Sequence, residues 1–221
     1  MKTISLTKEF TINAPVQYVF QLICPVMEYK WIPGWKTKLV YCPKGKNEKG
    51  VVFKEMMSTP FIMGKAFGKT TWQTLLCDKE NYKISFRWDN KISTSIFKVV
   101  MIPTDTSQTK CIFSLNMSSI NEKGEKVLTS KNEYKTEFLL TGLGEMLKFY
   151  CENSTMLNSK KSKRKAEFLN KLTITEKLVF LFNKIYMKLI FNRDKRIYLT
   201  QGDISKKTKN KVRLTTLGAE Y

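Results

Sequence analysis

Apolar and polar positions alternate from the start of the chain. Ile4, Leu6, Phe10 and Ile12 alternate with Ser5, Thr7, Glu9 and Thr11, and Lys8 is the one interruption. This is the period of a half-buried strand. Asn13 is placed to cap a helix and Pro15 suits its first turn. Val16, Val19, Phe20 and Ile23 then recur at helical spacing, Pro25 stops the helix, and Trp31, Pro33, Gly34 and Trp35 form a stiff aromatic turn. Residues 38–42 and 51–57 read as strands of ambiguous register around the turn Lys44-Gly45-Lys46-Asn47.

A third strand is expected over residues 66–76, with Gly68, Thr70, Trp72 and Thr74 on one face. The clearest alternation follows: Tyr82, Ile84, Phe86 and Trp88 face one way, Lys83, Ser85 and Arg87 the other, and Asp89-Asn90 closes the strand. Residues 94–102 continue with Phe97, Val99 and Met101 on one face, then Pro103 and Asp105 turn the chain. Cys111, Phe113, Leu115 and Met117 mark the next inward face. Strands this close, joined by short polar turns, predict an antiparallel meander. From about Asn132 the period lengthens: Phe138, Leu139, Gly142, Leu143, Met146, Leu147 and Tyr150 fall on one helical face. Gly142 and Gly144 weaken that helix, which points to a close approach to the sheet or a bend.

The first of these stretches carries a resemblance. A strand, then Asn13-Ala14-Pro15, Val19-Phe20, Glu28, Trp31 and Pro33-Gly34-Trp35, is similar to the N-terminal signature of the superfamily that includes START lipid-transfer domains, birch-pollen-type allergens and bacterial polyketide cyclases. The turn Asn121-Glu122-Lys123-Gly124, before the late helix, sits where members carry a similar turn. The resemblance covers roughly residues 3–157. It implies an α+β helix-grip fold, a curved antiparallel sheet wrapped around a long C-terminal helix with an apolar cavity between them. That scaffold serves ligand carriage, cyclisation and chaperone contact, so fold alone does not decide function.

Composition narrows the chemistry. The chain of 221 residues has no histidine, which removes Ser-His-Asp and Cys-His catalysis and histidine metal ligation. Its five cysteines are odd in number and widely spaced, with no C-x-x-C pair, so neither a disulfide framework nor a zinc site is expected, and no metal or cofactor. The remaining acid-base candidates are Glu28, Glu55, Asp89 and Tyr41. Their spacing pairs none of them, and a solvated carboxylate is the plain expectation for each acid.

The inward aromatic and methionine residues are either cavity lining or core, which periodicity cannot separate. The resemblance favours a ligand wall made of Trp31, Trp35, Trp72, Phe86, Trp88, Phe97, Met101, Phe113, Met117, Leu143 and Leu147. Trp31 and Trp35 stand at the cavity rim or pin their loop. The expected function is binding or carriage of a small hydrophobic or lipid-like ligand. The alternatives are a cyclase or dehydratase working without metal or histidine, and a co-chaperone-like interaction module.

Charge adds a second region. The formal charge is +20, and Lys supplies 34 of the 39 basic residues. Residues 1–158 are expected to form the grip domain and 159–221 a basic extension; residues 160–221 alone hold 17 basic and 5 acidic side chains. Over about 175–192, Leu178, Val179, Phe182, Ile185, Tyr186, Leu189 and Ile190 define an apolar helical face. Lys177, Lys184 and Lys188 lie opposite, and Arg193, Lys195 and Arg196 follow. This helix docks on the domain, lies on an anionic membrane through these basic residues and Phe182, or mediates oligomerisation. No nucleic-acid motif is present and Arg is scarce, so no specific nucleic-acid partner is expected. Residues 1–9 lack a signal-peptide apolar run and no stretch is long and apolar enough to span a bilayer, so the expected location is cytoplasmic, with peripheral contact at the inner membrane face.

Overall fold

In the computed structural model, the described residues are 1–33, 35, 37–56 and 69–157, together with 170, 173–175, 177 and 178. The chain runs β1 (Thr3–Ile12), α1 (Val16–Leu22), a 3-10 turn (Glu28–Lys30), β2 (Thr37–Tyr41), β3 (Val52–Met56), β4 (Lys69–Asp78), β5 (Lys83–Asp89), β6 (Ser93–Pro103), β7 (Thr109–Ser119), α2 (Glu122–Val127) and α3 (Ser130–Asn153). The seven strands form one antiparallel sheet in the order β1-β7-β6-β5-β4-β3-β2. β2 to β7 are sequential neighbours, as the meander requires. β1 closes the order by pairing with β7 from Thr3↔Ser118 to Ile12↔Thr109. The architecture is α+β, a helix-grip fold.

The inward face follows from side-chain alternation. On β6, Ser93, Ser95, Phe97, Val99 and Met101 are buried, and on β7 Thr109, Cys111, Phe113, Leu115, Met117 and Ser119. Two register shifts, at Leu39/Tyr41 in β2–β3 and at Thr74/Leu76 in β4–β5, put an extra residue on one strand. Such bulges bend a sheet and increase its twist, and α3 lies on the resulting concave side against β1, β7 and α1.

The most buried line of α3 is Thr136, Leu140, Gly144 and Leu147, at helical spacing. Of the two glycines suspected of a close approach, Gly144 makes it: a Cβ there would fall inside the Phe10 ring of β1. Phe10 is itself held edge-on against Phe113, with ring centroids 5.4 Å apart. The far end of α3 is tied down by Lys148 Nζ donating to the Thr11 carbonyl and the Asn13 amide donating to Glu152 Oε1, at 2.8 and 3.0 Å. Ser154 then ends the helix in the left-handed conformation, φ 55°.

Asn13 does not cap α1, contrary to the expectation. The N-cap position is Pro15, extended at φ −60° and ψ 142°, and no side chain caps the helix. Asn13 instead accepts from Gln108 Nε2 at 3.1 Å, tying the end of β1 to the β6–β7 turn. Asn121 is the capping asparagine, its Oδ1 accepting from the Gly124 amide at 2.9 Å. Residues 57–68, including Gly68, lie outside the described residues. So does nearly all of the basic extension, including Phe182, Lys184, Lys188, Arg193, Lys195 and Arg196. Of the tail helix, Lys177 and Leu178 are described and both are exposed. Among the described residues no helix is long and apolar enough to cross a membrane.

Candidate functional site

Between the concave sheet and α3 lies a cavity of about 90 Å³. Its floor is a run of inward aromatic rings on neighbouring strands: Phe53 of β3, Trp72 of β4, Phe86 and Trp88 of β5, Phe97 of β6 and Phe113 of β7. The pairing Phe53↔Trp72↔Trp88 sets three of them side by side. Phe53 stacks on Trp72 at 5.7 Å and 10°, and Trp88 meets Trp72 edge-on at 4.5 Å and 79°. Such contacts add about 0.5–1.5 kcal/mol each beyond the area they bury, which makes the floor rigid. Leu139, Leu143 and Met146 of α3 form the roof, and Ile23, Trp31, Ile32 and Trp35 close one side.

Trp31 and Trp35 do both things expected of them as alternatives. Each indole Nε1 donates to a backbone carbonyl, Trp31 to Leu22 at 2.9 Å and Trp35 to Pro25 at 3.0 Å, which fixes the loop after α1. Each ring also faces the cavity, and both are buried. All four tryptophans of the chain therefore line one space.

Of the eleven residues expected to line a ligand space, the structure places Trp31, Trp35, Trp72, Phe86, Trp88, Phe97, Phe113 and Leu143 on the wall of this cavity. Met101, Met117 and Leu147 are not on it. They are core residues, each at most 2% exposed. Met117 pairs across β7 with Ile4 and Met101 sits near the far end of β6. Leu147 belongs to the face of α3 that packs directly on the sheet.

The larger correction concerns the acids. Glu28 and Glu55, expected to be solvated and unpaired, are 9% and 7% exposed and both stand on the cavity wall. Glu55 is inward because β3 alternates Phe53 and Glu55 toward the concave face, opposite Trp72 and Thr70. Glu28 begins the 3-10 turn whose carbonyl accepts from the Trp31 and Ile32 amides at 3.2 and 2.8 Å, so it shares their inward side. Burial pushes the Glu55 carboxyl up to about 8; the Trp72 indole partly offsets this without forming a hydrogen bond of good geometry. Burial also raises Glu28 well above its ordinary value, and the Glu55 charge raises it further. Among the described residues, one Glu28 oxygen, Oε2, has no hydrogen-bond partner, and neither do Thr70 Oγ1, Trp72 Nε1, Trp88 Nε1 and Ser95 Oγ. Asp89 and Tyr41 stand elsewhere: Asp89 pairs with Arg87 on the surface and Tyr41 is 58% exposed.

Sequence reasoning missed the nearness of the two glutamates, along with Ile23, Ile32, Phe53, Leu139 and Met146. The signal for Glu55 was present in the period-two pattern Val51, Phe53, Glu55, once the register is fixed. No sequence signal joins Glu28 to it, because the contact arises from tertiary folding. No disulfide joins the five cysteines; burial pushes the Cys111 and Cys151 thiols up to about 12, which makes them inert. Among the described residues, no group of three or more acids, cysteines or histidines is gathered to hold a metal ion.

No protein-family model and no curated protein matches the sequence. Solved structures match at the level of fold. One is Ara h 8.0201, at 13% identity and TM-score 0.51, over 68% of this chain and 99% of that one. Another is a START superfamily protein from Mycobacterium smegmatis, at 11% identity and TM-score 0.50, over 68% and 99%. A third is the di-domain aromatase/cyclase BexL of the BE-7585A biosynthetic pathway, at 12% and 0.52, where 67% of this chain spans only 46% of its partner. Sheet order, helix placement and these matches agree that the chain adopts the START-like helix-grip fold.

Proposed function

We propose that this protein binds a small hydrophobic ligand in the cavity between the sheet and α3. The observation that carries the reading is the wall itself: eight aromatic rings and five aliphatic or methionine side chains surround a space that close packing would otherwise have filled. Apolar burial supplies most of the affinity. An engineered apolar cavity of about 150 Å³ holds benzene; this space is smaller, about 90 Å³, but it is not closed off from solvent, so a ligand inserts one apolar group and leaves the rest of its length at the mouth.

Because all four tryptophans line the cavity, intrinsic fluorescence reports on its occupancy directly. Titration with a small neutral aromatic probe such as tert-butylbenzene should give a saturable change in emission. Leu143→Phe, which fills the roof, should weaken that binding at least tenfold. No saturable change, or equal binding by the variant, would overturn the reading.

The buried glutamates favour one further reading, a cyclase or dehydratase-like enzyme. A carboxyl raised toward neutrality inside an apolar pocket can deliver or remove a proton beside a carbonyl. On that reading, a ligand extracted from the host is altered on incubation with the protein, by ring closure at constant mass or by loss of water, which chromatography and mass together detect. Glu55→Gln abolishes the change while keeping the affinity for neutral probes; a ligand returned unaltered by the wild type would exclude it.

A further inference from the structure

The cavity wall contains a chemical contradiction that an apolar ligand alone does not resolve. Two carboxyl groups are buried against it, and no lysine or arginine among the described residues stands on the wall to neutralise them. Among the described residues, the titratable groups facing the space are Glu28, from the 3-10 turn, and Glu55, from β3. The contributions of β4, β5, β6, β7 and α3 are aromatic or aliphatic side chains. Removing one carboxylate from water without a partner is expensive, and removing two close together adds repulsion. Among the described residues no hydrogen-bond donor reaches Glu28 Oε2, although the residue is nine-tenths buried.

The rings around the two acids are also particular. Trp31, Trp35, Trp72 and Trp88 are the most electron-rich faces a protein can offer, and Phe53 and Phe86 extend them. An organic cation is drawn to such faces at up to about 2 kcal/mol or more when desolvated, and aromatic cages recognise quaternary ammonium groups in this way. Rings and carboxylates thus favour the same partner. The surface charge of +20 does not favour it, since a basic protein repels cations at long range. Any cation preference must come from the site.

Building on the ligand-binding reading, we propose that the occupant of this cavity is a hydrophobic organic cation, a protonated or quaternary amine, held between the tryptophan faces and the Glu28–Glu55 pair. The amine supplies the positive charge and, if protonated, the donor that Glu28 lacks. Its apolar remainder packs under Leu139, Leu143 and Met146. Binding draws the pair toward ionisation, so occupancy is coupled to loss of a proton below about pH 8, the value to which Glu55 is raised.

The test uses two probes of the same shape on the full chain, phenyltrimethylammonium and tert-butylbenzene, which differ in nitrogen for carbon and in charge. Tryptophan fluorescence measures both affinities. At pH 8.5 the cation should bind about tenfold tighter or more. Its affinity should fall as pH drops through 8, while that of the neutral probe stays level. In Glu28→Gln/Glu55→Gln the advantage should disappear with neutral binding retained. Equal or tighter binding of the neutral probe by the wild type, or an advantage that survives in the double variant, overturns the cation proposal and leaves the hydrophobic cavity standing. Failure of both probes removes the ligand-binding reading as well. If the double variant does not fold, the wild-type pH profile decides: a level cation profile overturns the proposal.

Discussion

At the scale of single residues, Glu28 and Glu55 are the costly members of this core. A carboxyl whose pKa rises on folding binds its proton more tightly in the native state than in the unfolded chain. The native state therefore holds more protons between about pH 4.5 and 8, and stability falls as pH rises across that window. Below about pH 4.5 both states are protonated and no difference remains. Above about pH 8 Glu55 contributes its full penalty. The slope reaches about 1.4 kcal/mol per pH unit for one such group. No histidine confuses the window, and the acids held low, Asp78, Asp105 and Glu125, act only below it. Glu55→Gln should thus unfold at higher denaturant than wild type at pH 8 and near the same concentration at pH 4.5. A wild-type profile that rises with pH over this range would show that Glu55 is not buried as described. The sequence carried the aromatic half of the wall, because Trp72, Phe86, Trp88, Phe97 and Phe113 lie on inward strand faces that period two exposes. It hid the acidic half, because an acid two residues on from Phe53 reads as a surface residue until its strand has a register.

At the scale of elements, α3 decides whether there is a cavity at all. Its buried line, Thr136-Leu140-Gly144-Leu147, touches the sheet, while Leu139, Leu143 and Met146, a third of a turn round, stand off over the aromatic floor. Gly144 permits the contact by letting the helix backbone rest on Phe10. Alanine would ordinarily stabilise a helix interior by about 1 kcal/mol over glycine. Here Gly144→Ala should instead destabilise by about 1–3 kcal/mol, because the methyl group overlaps a ring already packed on Phe113. Urea unfolding measures it, and an unchanged or higher midpoint would contradict the close contact. The chain pattern exposed the apolar stripe of this helix and singled out Gly142 and Gly144. It placed Leu140 off the stripe, since a helix that packs on a sheet with one line and roofs a cavity with another presents an arc wider than one periodic face. The same limit explains Asn13. A helix-start signature is a local pattern, but here a long-range bond to Gln108 claims the side chain.

At the scale of the whole molecule, the antiparallel meander and the helix that follows it were legible because short-turned strands have few ways to pair, whereas the pairing of β1 with β7 is a long-range contact that no local pattern announces. The extension expected over residues 159–221 carries 17 basic residues and an amphipathic pattern over about 175–192. We propose that it holds the domain at an anionic lipid surface, each basic side chain near the surface contributing about 1 kcal/mol at low salt. Removal of residues 160–221 should abolish sedimentation with phosphatidylserine vesicles while leaving the urea midpoint of the domain unchanged; sedimentation equal to that of the full chain would reject the proposal. The central claim, that the space under α3 exists to be filled, is tested most directly by native mass spectrometry of protein gently purified from its own host. The account predicts a discrete adduct on the wild-type chain, released on denaturation as one small hydrophobic compound and absent from Leu143→Phe. A bare mass for the wild type, or the same adduct on both proteins, would contradict it.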